Sequence, residues 1–297
     1  MTEWQKREMA GSQWRITLPD GRSLGYGRFG NPCGPPVVYS HGFPASRLEA
    51  GLLSEAADRA GVQLIAPDRP GFGLSEFQPG RRILDWATDI ASLADQLGFA
   101  QFRLLGGSAG CPYALACAHR LQQRILRVGI IGGLGPTDEK EAVDRMSKAA
   151  RLGFFLARRT PLIFKFAYGG LGQLVARYPS LAYRLNEATG PDRELLARPQ
   201  VRSILDASIQ EAFCRGTAGA LHEFSLLALP WGFDLEGISV PLDIWHGRQD
   251  GVVPHAMGEL LAEKAPNGRL HLIAGEGHVS LPVRRGVEIL ETLCQTG

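Results

Sequence analysis

The chain has 297 residues, 44% of them hydrophobic and 21% charged, with a formal net charge of +2. That length accommodates one large α/β domain, with or without an insertion, and the charge balance lacks the basic excess that a nucleic-acid partner calls for. No apolar run approaches the roughly 20 residues of a membrane-spanning helix, Met1 to Gly11 lacks an apolar signal core, and five cysteines without a CxxC pair argue against a disulfide framework or a zinc site, so a cytoplasmic protein without metal is expected.

Trp14 to Leu18 alternates, Pro19-Asp20-Gly21 is a turn signal, and Ser23 to Phe29 resumes the alternation, which predicts a β-hairpin. A Pro/Gly loop, Asn31 to Pro36, leads into a short apolar strand, Val37 to Ser40, followed by His41-Gly42-Phe43-Pro44. Ser46 is placed to cap a helix running to Ala60. Val62 to Ala66 is the next buried strand, Leu84 to Leu97 has helical spacing, and Phe102 to Leu105 and Val128 to Ile131 are two further strands. Short apolar strands alternating with helices imply a parallel sheet covered on both faces. The alternation then stops. From about Pro136 to Trp231 the pattern is helical, with amphipathic runs such as Glu139 to Leu156, many aromatics and several arginines. Core packing inside this segment is the expected role of its aromatics. Alternation resumes with a strand Leu242 to Trp245, a helix Pro254 to Lys264, a strand Leu270 to Ile273 and a helix around Val283 to Cys294. The reading is an α/β core, 1–135 and 232–297, interrupted by a helical insertion, 136–231.

Gly106-Gly107-Ser108-Ala109-Gly110 sits between a strand and a helix and reads as a nucleophile elbow. A sharp strand-to-helix turn strains the serine backbone and brings residues 106 and 110 against neighbouring elements, where glycine avoids collision. A serine hydroxyl needs a base, and the base needs an orienting carboxylate. In an open parallel sheet these groups belong in loops at the carboxyl ends of strands. Asp250 follows one strand in His246-Gly247-Arg248-Gln249-Asp250, and His278 follows the last in Gly275-Glu276-Gly277-His278. The order Ser108, Asp250, His278 is the one expected of an elbow hydrolase. Asp138 and Glu276 are rival acids. Two backbone amides must meet a developing oxyanion; Ala109 follows the nucleophile, and Phe43 is the candidate for the second. Cys111, three residues from Ser108, is read as a packing residue and His41 as structural.

These motifs, with Asp68-Arg69-Pro70-Gly71-Phe72-Gly73-Leu74-Ser75, resemble the α/β-hydrolase superfamily, in particular capped serine hydrolases of the esterase and proline-iminopeptidase type. The resemblance implies an eight-stranded, mostly parallel sheet with a helical cap entering after the sixth strand. It implies a Ser108–His278–Asp250 triad acting through an acyl-enzyme, most simply on a carboxylic ester, and no cofactor. The expected partner is a small molecule with a hydrophobic moiety; neither nucleic acid nor membrane is expected. The cap arginines leave an anionic group on that molecule open. Carbon–carbon hydrolysis, lyase chemistry and ligand sensing with negligible turnover use the same constellation and remain open. So does an aminopeptidase, which would need one of the carboxylates Glu187, Asp192, Glu194, Glu211 or Glu223 to hold a substrate ammonium.

Overall fold

The computed structural model describes residues 13–139, 143–185 and 190–295. Its frame is an eight-stranded sheet in the order β1-β2-β4-β3-β5-β6-β7-β8. The strands are β1 (Trp14–Thr17), β2 (Ser23–Gly30), β3 (Pro36–Ser40), β4 (Gln63–Pro67), β5 (Phe102–Gly107), β6 (Ile125–Ile131), β7 (Leu242–Gly247) and β8 (Gly268–Ile273). The β1–β2 hairpin and the β2–β4 pair are antiparallel, and every other pairing is parallel.

Successive side chains leave a strand on opposite faces, and here both faces are buried. Val38, Ile65, Leu104, Ile130 and Ile244 pack in one core cluster with α2 (Trp86–Gln96), α3 (Cys111–Arg120) and α10 (His255–Lys264). Val37, Leu64, Leu105, Ile131 and Trp245 pack in a second with α1 (Ser54–Arg59) and α11 (Ser280–Cys294). Two-sided burial explains why the strands read in sequence as continuous apolar runs.

Among the boundaries that differ from the sequence reading, three have a visible cause or consequence. Ser46 does cap, its hydroxyl accepting from Leu48 N at 3.4 Å, but it opens a 3-10 segment, Arg47–Leu53, before α1 begins. Strand β6 starts at Ile125 rather than Val128, because Arg127 breaks the apolar run while pairing with Asp243 at 3.4 Å. The run expected to be helical from Glu139 to Leu156 is interrupted: Val143 N donates to Glu139 O at 3.3 Å and residues 143–144 are helical, a turn follows at 145–147, and a helix capped by the Ser147 hydroxyl on Ala150 N starts at Lys148; residues 140–142 lie outside the described residues.

Between β6 and β7 the described residues include the helices α4 (Lys148–Arg159), α5 (Pro161–Arg177), α6 (Ser180–Leu185), α7 (Gly190–Leu196), α8 (Pro199–Ala212) and α9 (Ala218–Leu227). Phe154, Phe164 and Phe224 form their aromatic core, with ring centroids 4.9 to 5.0 Å apart. Phe155, Phe166 and Tyr178, expected to pack similarly, are instead exposed. No helix of the described residues is long and apolar enough to cross a membrane.

Candidate active site

Five strand-end loops meet at one edge of the sheet, because β3, β5, β6, β7 and β8 run parallel and end together. They carry, in order, His41 to Pro44, Ser108, Gly132, Asp250 and His278.

Ser108 has φ = +52°, the left-handed region, and is the one non-glycine with positive φ among the described residues. Such a conformation costs on the order of 1–3 kcal/mol and persists only when its surroundings dictate it. Here they do. A Cβ on Gly110 would lie 2.0 Å from Ser40 O, and one on Gly106 would lie 3.0 Å from the Ala114 Cβ. The strand can therefore turn into α3 through this sequence and few others. The turn Ser108–Gly110 is a single 3-10 turn, which leaves the Ala109 amide among the unsatisfied first-turn donors. The Phe43 amide also has no acceptor among the described residues.

His278 Nδ1 lies 2.7 Å from Asp250 Oδ2. Asp250 Oδ1 accepts from the amides of Val252 and Val253, both at 2.8 Å, and its side chain has no exposed surface. Burial alone would raise this carboxyl; the His278 charge and hydrogen bonds from His246 and His278 hold it well below the usual range. For the imidazole the balance is opposite. Burial pulls it down, but the charge and hydrogen bond of Asp250 prevail and push it up to about 9. Gly132, at φ = +53°, makes room for the pair: a Cβ there would lie 3.1 Å from His278 Nδ1 and 3.2 Å from Asp250 Oδ2. Of the rival acids, Asp138 is exposed and Glu276 faces Arg284 at 3.5 Å; neither is the acceptor on Nδ1.

The loop bearing Phe43 is held from beneath by a buried ionic network. The Arg69 guanidinium donates to the carbonyls of His41 and Gly42, and its Nε meets Glu223 Oε1 at 2.6 Å. Glu223, on α9, also takes Arg81 and, at 2.8 Å, the Tyr113 hydroxyl. Burial would raise its carboxyl, but the two arginines leave it lowered. His41 donates from Nδ1 to Gly42 O at 2.9 Å and accepts at Nε2 from Arg69 N; burial and the Arg69 charge keep it neutral, well below its ordinary pKa. From the other side, Glu49 Oε2 accepts from Gly42 N at 2.6 Å and from the Tyr39 hydroxyl at 2.7 Å. Burial pushes the Glu49 carboxyl above its ordinary pKa.

The loop bearing His278 is held by the insertion. Asp192 on α7, 1% exposed, accepts from His278 N at 2.8 Å and from Val279 N and Ser280 N at 2.9 Å. It thus caps α11 from another element, satisfying donors and meeting the positive end of the helix dipole. Asp192→Asn puts an amide NH₂ against a backbone N–H. It is expected to lower kcat by about 10²-fold through misplacement of the imidazole. Steady-state kinetics at a temperature where circular dichroism shows the variant folded provides the check.

Asp192 and Glu223 are fully engaged, Glu211 pairs with Arg47 at 2.7 Å, and Glu194 pairs on the surface with Arg198 and Arg284. Glu187 lies outside the described residues. Arg69, Glu49 and Gly132 are the residues whose parts the sequence reading did not supply; Arg69 stood in a quoted motif, but nothing local marks its carbonyl contacts.

Ser108 and His278 line a cavity of about 130 Å³, together with Phe43, Leu53, Ile131, Leu205 and Val252 among others; Tyr39, Glu49, Tyr183, Asp192 and Ser208 are its other polar side chains, and no Lys or Arg of the described residues lines it. A family profile described as the alpha/beta hydrolase fold matches residues 35–284. The chain is 24% identical over 279 residues to an uncharacterized hydrolase, YcgS, of Bacillus subtilis (strain 168), covering 92% of this chain and 93% of that one. It is 27% identical over 266 residues to 2-hydroxymuconate semialdehyde hydrolase of Pseudomonas putida, covering 82% and 81%. Among solved structures it is similar to an esterase from Exiguobacterium antarcticum, with a TM-score of 0.66 and 20% identity over 95% of this chain and 97% of that one.

Proposed function

The chain belongs to the α/β-hydrolase fold family, and from that premise we propose that it is a serine hydrolase cleaving an uncharged carboxylic ester through an acyl-enzyme. One observation carries the reading. A strained serine at φ = +52° shares one cavity with an imidazole whose Nδ1 is 2.7 Å from a fully buried aspartate. Oγ of Ser108 attacks the ester carbonyl as His278 Nε2 takes its proton. Asp250 holds Nδ1–H and stabilises the imidazolium. The amides of Phe43 and Ala109 receive the oxyanion. His278 then protonates the leaving alcohol, the acyl-enzyme forms, and water activated by the same imidazole releases the acid. The apolar lining and the absence of Lys and Arg from it among the described residues favour an uncharged, hydrophobic acyl group over an anionic one.

The test is a p-nitrophenyl ester series from acetate to decanoate. Turnover that peaks at a short or medium chain is expected, given the size of the cavity, together with loss of activity and phosphonylation of Ser108 on treatment with an organophosphonate. Labelling elsewhere, or no turnover on any ester, overturns the reading. A second reading, an aminoacyl substrate, draws on Glu49, whose Oε1 accepts no hydrogen bond among the described residues while the side chain lines the cavity. Prolyl p-nitroanilide hydrolysed faster than every ester would favour it.

A further inference from the structure

Helices α4 and α5 are amphipathic twice over. Inward, Phe154 stacks on Phe224 at 4.9 Å and Phe164 packs tilted against it at 5.0 Å. Outward, Leu152 and Phe155 on α4 are each 57% exposed, and Leu162, Ile163 and Phe166 on α5 are 72%, 58% and 81% exposed. Scattered exposed apolar residues are ordinary, but a contiguous group on adjoining helices marks an interaction surface. The link between the helices is the single residue Thr160, so Phe155, Leu162, Ile163 and Phe166 sit at one corner.

The charge pattern identifies the occupant. Between Asp144 and Glu187 the sequence holds eight Lys or Arg and no acidic residue. Lys148, Leu152, Phe155 and Arg159 recur at i, i+4, i+7 and i+11, one face of α4; Leu162, Lys165 and Phe166 share a face of α5. Among the described residues Lys148, Arg159 and Lys165 have no ion-pair partner. Apolar side chains rimmed by unpaired cations are the pattern of helices that lie in the interface of an anionic bilayer. A second copy of this chain would set like charge against like charge, which disfavours self-association.

We propose that the α4–α5 corner docks on an anionic phospholipid surface, with Phe155, Leu162, Ile163 and Phe166 entering the headgroup region and Lys148, Arg159 and Lys165 contacting lipid phosphates. This is association with a surface, not insertion of a spanning helix, and it is independent of the reaction at Ser108.

Co-sedimentation with vesicles of equal parts phosphatidylglycerol and phosphatidylcholine, against pure phosphatidylcholine, tests it. Binding roughly tenfold stronger to the anionic vesicles is expected, and it should weaken in high salt. The double variant Leu162→Ser/Phe166→Ser and the double variant Arg159→Glu/Lys165→Glu should each lose about tenfold of that binding. Both should retain wild-type hydrolysis of a water-soluble ester, which controls for folding. Equal binding to the two vesicle types, or binding unaffected by either double variant, overturns the proposal. So does a wild-type dimer in light scattering that Leu162→Ser/Phe166→Ser dissociates, which would make the corner an interface between copies.

Discussion

Ser108→Ala is expected to reduce kcat on a p-nitrophenyl ester by about 10⁶-fold, leaving only the residual catalysis that binding and an oxyanion site provide without a nucleophile. The fold should be unaffected, since the alanine keeps the Cβ and the serine hydroxyl forms no hydrogen bond among the described residues. Ser108→Gly separates chemistry from strain. It is equally devoid of an oxygen nucleophile, but glycine adopts φ = +52° without steric penalty. Relief of strain, less the entropy of an added glycine, should stabilise that variant by about 1 kcal/mol, or about 2 °C in Tm for a chain of this size. Calorimetry of the three proteins is the measurement. A glycine variant that melts below the alanine variant would mean that the elbow is imposed without strain.

Asp250→Asn is expected to lower kcat by about 10⁴-fold, because an amide presents the wrong partner to Nδ1–H and leaves the imidazolium without its counter-charge. The pH profile carries a sharper signature. In the wild type, kcat/KM should rise with pH as His278 loses its proton at about 9. In the variant the charge and hydrogen bond of Asp250 are gone, while burial and the weaker pull of Asp192 and Glu49 remain, so the limb should move down from about 9. A variant that is slow but titrates at the wild-type position would show that Asp250 is not the partner that sets the base. The same coupling affects stability in the opposite sense. The folded chain binds the His278 proton more tightly than the unfolded chain, so the stabilisation from the pair is complete below 6.5 and is lost as pH rises to about 9. Activity and this part of stability therefore exchange over one pH window.

The sheet was legible because its strands are buried on both faces and stand out as apolar runs between turn signals. The candidate triad was legible because Ser108, Asp250 and His278 each follow such a run within a few residues, and the parallel topology brings the ends of those runs to one edge. What the sequence concealed depends on contacts between distant segments. Asp192 meets His278 N across 86 positions, and Glu223 meets Arg69 across 154. In sequence each is one acidic residue on a helix, indistinguishable from Glu194, which lies on the surface. Gly132 reads as one of many glycines until the imidazole–carboxylate pair is seen above it. The start of β6 was hidden by Arg127, a charge that the apolar pattern excludes and Asp243 accommodates.

Glu223 and Asp192 also bear on how this protein can be altered. One helix of the insertion anchors the arginine beneath the candidate oxyanion loop, and another anchors the loop of the candidate base. The insertion is therefore not an exchangeable module seated on a self-sufficient enzyme. Grafting a relative's helices onto this sheet to change substrate preference would succeed only if the graft returned a carboxylate to each of the two positions. Substitutions that keep α7 and α9 while varying α6 and α8 avoid that requirement, and Tyr183, Leu205 and Ser208 on those two helices already line the cavity.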